Sequence, residues 1–213
     1  MMSKEKNVLD FYVLCTKLKN VIRSGWKDWN VKRERVESIA EHIYGVQMLA
    51  IAMFSEYEYD IDIFKVIYML AIHELGETII GDLTPFEITK SEKIEIEHKA
   101  VHNILSKLLK SQEIEDLFLE FDAKETKESI FANQCDRLEC DLQCKLYDEE
   151  RCVDLNDQAN NVSIKNPEVQ ELLKNNSWSE MWLKFWQKHC NYDKNFMSVS
   201  CYALENDISD IDE

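Results

Sequence analysis

Glycine and proline are scarce in this chain, four and two among 213 residues, where average usage gives roughly fifteen and ten. After Gly81 there is no glycine at all. An all-β fold needs turn residues every ten or so positions, so the scarcity excludes a sandwich or barrel and leaves an all-α protein. Basic residues are short as well, 25 against 41 acidic, for a net charge of −16. Such a field repels polyanions and argues against a nucleic-acid polymer or an anionic membrane as partner. Long apolar runs are missing: MLAIAMF is far too short to span a bilayer, and MMSKEKNVLDF has no stretch of signal-peptide type. The expected location is cytoplasmic. No CxxC pair occurs among the seven cysteines, and their odd number fits reduced thiols better than a disulfide framework.

Helical periodicity is what the chain does have. Leu9, Tyr12, Leu18 and Val21 predict a first helix over residues 7 to 22, broken by Gly25. Ser38-Ile39-Ala40-Glu41 is a capping box that opens an apolar helix through Phe54. Asp60 or Asp62 caps the next, which carries Ile63, Val66, Ile67, Leu70 and Ala71 and ends near Gly76 to Gly81. Thr89 to Glu92 is a second capping box, followed by helical spacing through Leu108, a shorter helix around residues 114 to 121 and a longer one over 130 to 147. Residues 154 to 166 are polar and read as a loop, Asn166 and Pro167 as a helix start, and Trp178 to Trp186 as the aromatic face of a last helix. The tail LENDISDIDE carries five acids and is expected to be solvated and mobile. The expected organisation is one domain over 1–153, with 154–213 as a polar loop, helices packing on the same domain, and the acidic tail.

The chemistry concentrates in LAIHELGETIIGDLTP, residues 70 to 85, where His73, Glu74, Glu77 and Asp82 interrupt an apolar run. Imidazole beside carboxylate suits a divalent first-row metal with exchangeable waters. His73 and Glu77, four apart, are expected to lie on one helical face, with Glu74 turned about 100° from His73. His42 lies on the capped helix beside Glu41. Spacing alone does not bring it to His73.

RVESIAEHIYGVQMLA, KVIYMLAIHELGETIIGDLTP and NQCDRLECDLQ together resemble the HD-domain metal-dependent phosphohydrolases, in the branch of 5'-deoxynucleotidases. That family orders a histidine, a later His-Asp doublet and a distant aspartate. The resemblance spans residues 8 to 150 and implies a compact multi-helix HD-domain fold with a C-terminal helical extension. It implies metal ligands at His42, His73, Glu74 and Asp136, catalytic carboxylates at Glu77 and Asp82, and phosphate or substrate contacts at Arg23 and Arg35. It also implies one divalent ion (Co, Mn, Mg, Fe or Zn), a small nucleotide substrate and a homodimer. One departure stands out. The doublet is His-Glu, and the added methylene moves the carboxylate by about 1.5 Å.

The implied reaction removes the phosphate from (deoxy)nucleoside 5'-monophosphates. It needs charge neutralisation on the phosphoryl oxygens, an activated water and a proton for the leaving alkoxide. Glu77 and Asp82 can share the proton handling, and the spacing does not say which is acid and which is base. Two alternatives use the same residues: a nucleotide-binding or regulatory HD-fold protein whose His-Glu doublet gives weak or no catalysis, and a phosphodiesterase or pyrophosphohydrolase. Lys90 and Lys93 are weaker candidates for phosphate contact. His98, His102 and His189, with Cys135, Cys140 and Cys144, read as structural.

Overall fold

The computed structural model describes residues 3–83 and 89–210, with the side chain of Lys90 left out. Among them the regular structure is helical, apart from one isolated antiparallel bridge between Ile22 and Ser38. The α-helices are α1 (Lys4–Cys15), α2 (Ser24–Asp28), α3 (Ile39–Glu56), α4 (Ile63–Ile72), α5 (Glu77–Ile80), α6 (Lys90–Leu105), α7 (Ser111–Ala123), α8 (Lys127–Glu149), α9 (Pro167–Leu173), α10 (Trp178–His189) and α11 (Lys194–Glu205), with 3-10 turns at Thr16–Asn20 and Ser163–Lys165.

The caps form as their residues dictate. The Ser38 hydroxyl accepts from the Glu41 amide while Glu41 accepts from the Ser38 amide at 2.8 Å, and Thr89 with Glu92 repeats the arrangement. Asp62, rather than Asp60, caps α4 by accepting from the amides of Phe64 and Lys65. Asn166 caps α9 with Pro167 at its first turn. The first helix starts earlier than its periodicity predicts, capped by Ser3, and ends earlier, because the chain tightens into the 3-10 turn at Thr16. A further helix, α11, follows the Trp-rich one, capped by Asp193. The acidic tail is not loose over its described part: the amides of Ile208 and Ser209 donate to the Glu149 carboxylate at 3.0–3.3 Å.

The chain groups into two compact units, Met1–Ser24 with Glu37–Asn133, and Gly25–Val36 with Gln134–Glu213, so that α8 contributes to both. In the first, the buried faces of α3 (Ile39, Val46, Ala50, Met53) and α4 (Val66, Met69, Leu70) belong to the core, and the Gln47 amide donates across to the Ile67 carbonyl. Ile72, Leu75, Val101, Ile104, Leu105 and Phe118 continue that core, each contributing about 1.5–3 kcal/mol by leaving water. In the second, Trp26, Trp29, Tyr147 and Trp178 form an aromatic core. Trp26 stands edge-on to Tyr147, centroids 5.4 Å apart at 88°, the arrangement that aromatic quadrupoles favour. All seven cysteines are free thiols.

Candidate active site

The capping box at Ser38 fixes where α3 begins, and His42, one turn later, is fully buried. The apolar face of α4 fixes the second histidine. That helix stops at Ile72, with His73 as its C-cap, so the polar residues of the 70–85 stretch do not lie along one core helix. Glu74 and Leu75 form a turn, and Glu77 opens the short α5. The sharing of one continuous helical face by His73 and Glu77 is therefore corrected by the structure. Apolar letters on both sides of the break conceal it in the sequence.

The break turns the doublet toward α3. The His73 Nδ1–H donates to the Leu70 carbonyl at 2.8 Å, which makes Nε2 the nitrogen with the lone pair. Glu74 Oε1 lies 3.7 Å from His73 Nε2 and 3.8 Å from His42 Nε2. Both separations are too long for hydrogen bonds. Donors that share one ion through bonds of about 2.1 Å stand about 3.0–3.6 Å apart, so small side-chain adjustments bring all three onto a common cation. The same oxygen accepts from Arg23 Nη1 at 3.1 Å. Arg23 is itself held, since its amide donates to the Glu37 carbonyl and the Ile39 amide donates to Val21 beside it.

Glu77 is 2 % exposed. Its Oε1 accepts from Lys93 Nζ at 3.2 Å, whereas its Oε2 is buried with no hydrogen-bond partner. Burial above all, then the charges of Glu74 and Asp82, push its carboxyl up to about 10 against the pull of Lys93 and Arg23. Glu97 from α6 joins it: Glu74, Glu77 and Glu97 each offer an oxygen within 4.8 Å of the others, and burial followed by Glu74 raises Glu97 to about 7. That approach explains Gly76. A Cβ there would stand 2.4 Å from Glu97 Cγ, closer than non-bonded carbons come. Gly81 ends α5 at φ +73°, a left-handed conformation glycine adopts without strain. Asp82 follows, and its Oδ2 accepts from the Ser24 amide at 2.7 Å.

Six of the expected residues are thus accounted for within the first unit: His42, His73, Glu74 and Arg23 converge, Glu77 adjoins them through Glu74, and Asp82 is tied to the residue after Arg23. Asp136, on α8, and the exposed Arg35 belong to the second unit. Lys93, a weaker candidate for phosphate contact by sequence, is the partner of Glu77, and Glu97 is a member of the cluster that the sequence reading lacks. Their spacing of four on α6 is the one sequence signal that groups them. His98 pairs with Asp122 at 2.7 Å, His102 with Glu115 at 3.1 Å and His189 with Glu168 at 2.9 Å, which gives each a structural role. Lys90 lies outside the described side chains.

Two buried imidazoles and a carboxylate, spaced to share one cation within a helical unit, define an α-helical protein with a candidate metal site. The HD domain family profile matches residues 15–177. The chain belongs to the HD domain family. It is 34% identical over 152 residues to 5'-deoxynucleotidase HDDC2 of Dictyostelium discoideum, covering 68% of this chain and 79% of that one. It is 31% identical over 178 residues to 5'-deoxynucleotidase HDDC2 of Xenopus laevis, covering 80% and 86%. Among solved structures, a predicted metal-dependent phosphohydrolase from Magnetospirillum magnetotacticum superposes with a TM-score of 0.66 at 21% identity, covering 95% of this chain and 92% of that one. No helix among the described residues is long and apolar enough to cross a membrane.

Proposed function

We propose that this protein is a metal-dependent phosphomonoesterase that removes the phosphate from (deoxy)nucleoside 5'-monophosphates. The observation that carries the reading is the meeting of His42, His73 and Glu74 around one oxygen at 3.7–3.8 Å, in a chain about 30% identical to 5'-deoxynucleotidases. His42, His73 and Glu74 hold the ion, with Asp136 as the fourth ligand. When bound, a divalent ion supplies Lewis acidity to the phosphoryl oxygens and acidifies water. The donor set of imidazole and carboxylate accepts cobalt, manganese, iron or zinc, and magnesium less readily.

The other residues bind, orient and move protons. Arg23 and Arg35 present guanidinium forks to phosphate oxygens, which supplies local positive charge within a protein of net charge −16. Glu77 and Asp82 exchange protons with the attacking water and the leaving 5' oxygen. Lys93 at 3.2 Å supports the ionised form of Glu77. The same reading includes a homodimer in the cytoplasm. Exposed Val8, Leu9, Tyr12 and Val13 on α1 support the dimer, and sedimentation of the purified chain checks it.

The deciding experiment is elemental analysis of purified protein followed by phosphate release from a panel of deoxynucleoside and nucleoside monophosphates with cobalt, manganese or magnesium. Release of inorganic phosphate is expected. Folded protein that binds nucleotide but releases no phosphate with any of the metals overturns the enzyme reading. Activity confined to phosphodiesters or pyrophosphates moves the reaction to another bond.

A further inference from the structure

The doublet's second member is a glutamate, and a glutamate carboxylate has one more torsion to fix than an aspartate before it can serve a rigid ligand set. We infer that Arg23 is the positioning residue that makes Glu74 a competent metal ligand in this chain, so that the arginine and the glutamate work as a pair. The inference rests on the metal site proposed above and extends it to a residue otherwise assigned only to phosphate.

Three observations carry it. Glu74 Oε1, the oxygen that faces both imidazoles, is also the atom to which Arg23 Nη1 donates at 3.1 Å. The two side chains are only 15% and 13% exposed, so little water competes for the carboxylate. The arginine is not a loose surface cation either. Its amide is bonded to Glu37, its neighbour Ser24 is bonded to Asp82, and Val21 is bonded to Ile39 at the start of the helix that carries His42. A guanidinium fixed at its root and partly desolvated holds a carboxylate in one orientation, as groups behind metal ligands do. An aspartate at the same position is a methylene shorter and draws its oxygens back by about 1.5 Å, out of the reach of that donor.

Charge and positioning predict opposite signs. A guanidinium beside a cation repels it, so if Arg23 acted by charge alone its removal would tighten metal binding. As a positioning group its removal weakens binding, by about tenfold for a residue behind a ligand. Cobalt(II) or manganese(II) affinity is therefore measured by calorimetry without nucleotide, on the full chain and on Arg23→Gln, Arg23→Lys, Glu74→Asp and the double variant Arg23→Gln/Glu74→Asp. Circular dichroism verifies that each is folded. Arg23→Gln is expected to weaken binding about tenfold beside Glu74 and by less than about twofold beside an aspartate. Arg23→Lys, which keeps a donor that reaches the carboxylate, is expected to restore part of the loss and stands in if the glutamine variant does not fold. Unchanged or tighter binding in Arg23→Gln, an equal loss in both backgrounds, or no ion bound by the unsubstituted chain overturns the inference. Metal bound with the expected pattern but no phosphate released sinks the enzyme reading while leaving the pair in place.

Discussion

Asp141 and Glu77 are both buried carboxylates, and their surroundings differ in one respect. Asp141, in the second unit, is fully buried and receives Arg137 Nη2 at 2.7 Å, Arg137 Nε at 3.2 Å, the Trp182 indole N–H at 2.9 Å and the Tyr192 hydroxyl at 2.7 Å. Arg137 is further sandwiched, its guanidinium 4.2 Å from the Trp186 ring centroid. Glu77, in the first unit, is almost as buried but has one lysine on one oxygen and nothing on the other, with Glu74 and Glu97 close by. A buried charge with its donors complete belongs to the architecture. One left incomplete among like charges stores a cost that a bound cation or substrate can relieve.

The largest effect expected from this contrast falls on the complete network. Asp141→Ala strands the arginine and two further donors, and breaking such a buried pair costs about 3–5 kcal/mol. Urea denaturation of the full chain measures it. A loss below about 1 kcal/mol would mean the network is not structural, and the contrast would fail on that side.

Next comes the incomplete site. Glu77→Gln is expected to leave metal content unchanged and cut phosphate release by about 100-fold or more. Unchanged turnover removes Glu77 from the mechanism. The same substitution has an opposite effect on stability. A carboxyl whose folded pKa is raised, here from 4.5 to about 10, stabilises the fold below its unfolded value, and that contribution is lost as pH rises toward the folded one. In the presence of chelator at pH 8, Glu77→Gln should therefore melt a few degrees higher than the unsubstituted chain, with the gain shrinking toward pH 4.5. A melting point lowered at pH 8 contradicts the picture of a strained carboxylate.

How much of this was legible in the sequence follows from the range of each interaction. Caps are local, so Ser38–Glu41, Thr89–Glu92 and Asn166–Pro167 could be read directly. The class of site could be read because His42, the 73–74 doublet and Glu77 carry a recognisable order. The end of α4 at Ile72 could not, since Leu75 beyond it is as apolar and buried as Leu70 before it. Helix α11 escaped because its buried face is Phe196, Ser200 and Ala203, and a serine on the inward side erases the apolar period. Glu97 was hidden for a different reason. Its place in the site depends on the missing side chain of Gly76, a contact across 21 positions that no periodicity announces.

That contact gives a smaller and more selective test. Gly76→Ala places a Cβ 2.4 Å from Glu97 Cγ, so the Glu97 side chain must swing away from Glu74 and Glu77. Moving a mid-chain carbon off its position costs about 1–3 kcal/mol of overpacking. Loss of its charge near Glu77 offsets part of that at neutral pH. The expected result is a melting point lowered by a few degrees, read by calorimetry, that Gly76→Ala combined with Glu97→Ala restores. Failure of the second substitution to restore it would place the strain in the backbone turn rather than in the carboxylate cluster.

Glu149 lies between the two extremes and gives the smallest effect. Its carboxylate is satisfied, by the Ile208 and Ser209 amides and by Lys145 Nζ at 3.1 Å, but what it holds is the chain terminus rather than a core. Amide bonds to a charged acceptor contribute about 1.5–3 kcal/mol each when they hold buried structure. Here the segment released has little apolar area to lose, since Asn206, Asp207, Ser209 and Asp210 are exposed. Glu149→Gln should therefore lower global stability by less than about 1 kcal/mol, while hydrogen exchange at the amides of Ile208 and Ser209 accelerates at least tenfold. Exchange that stays slow would show that Ile208 packing holds the tail. A global loss as large as that of Asp141→Ala would show that satisfaction alone, without burial, determines what a carboxylate contributes.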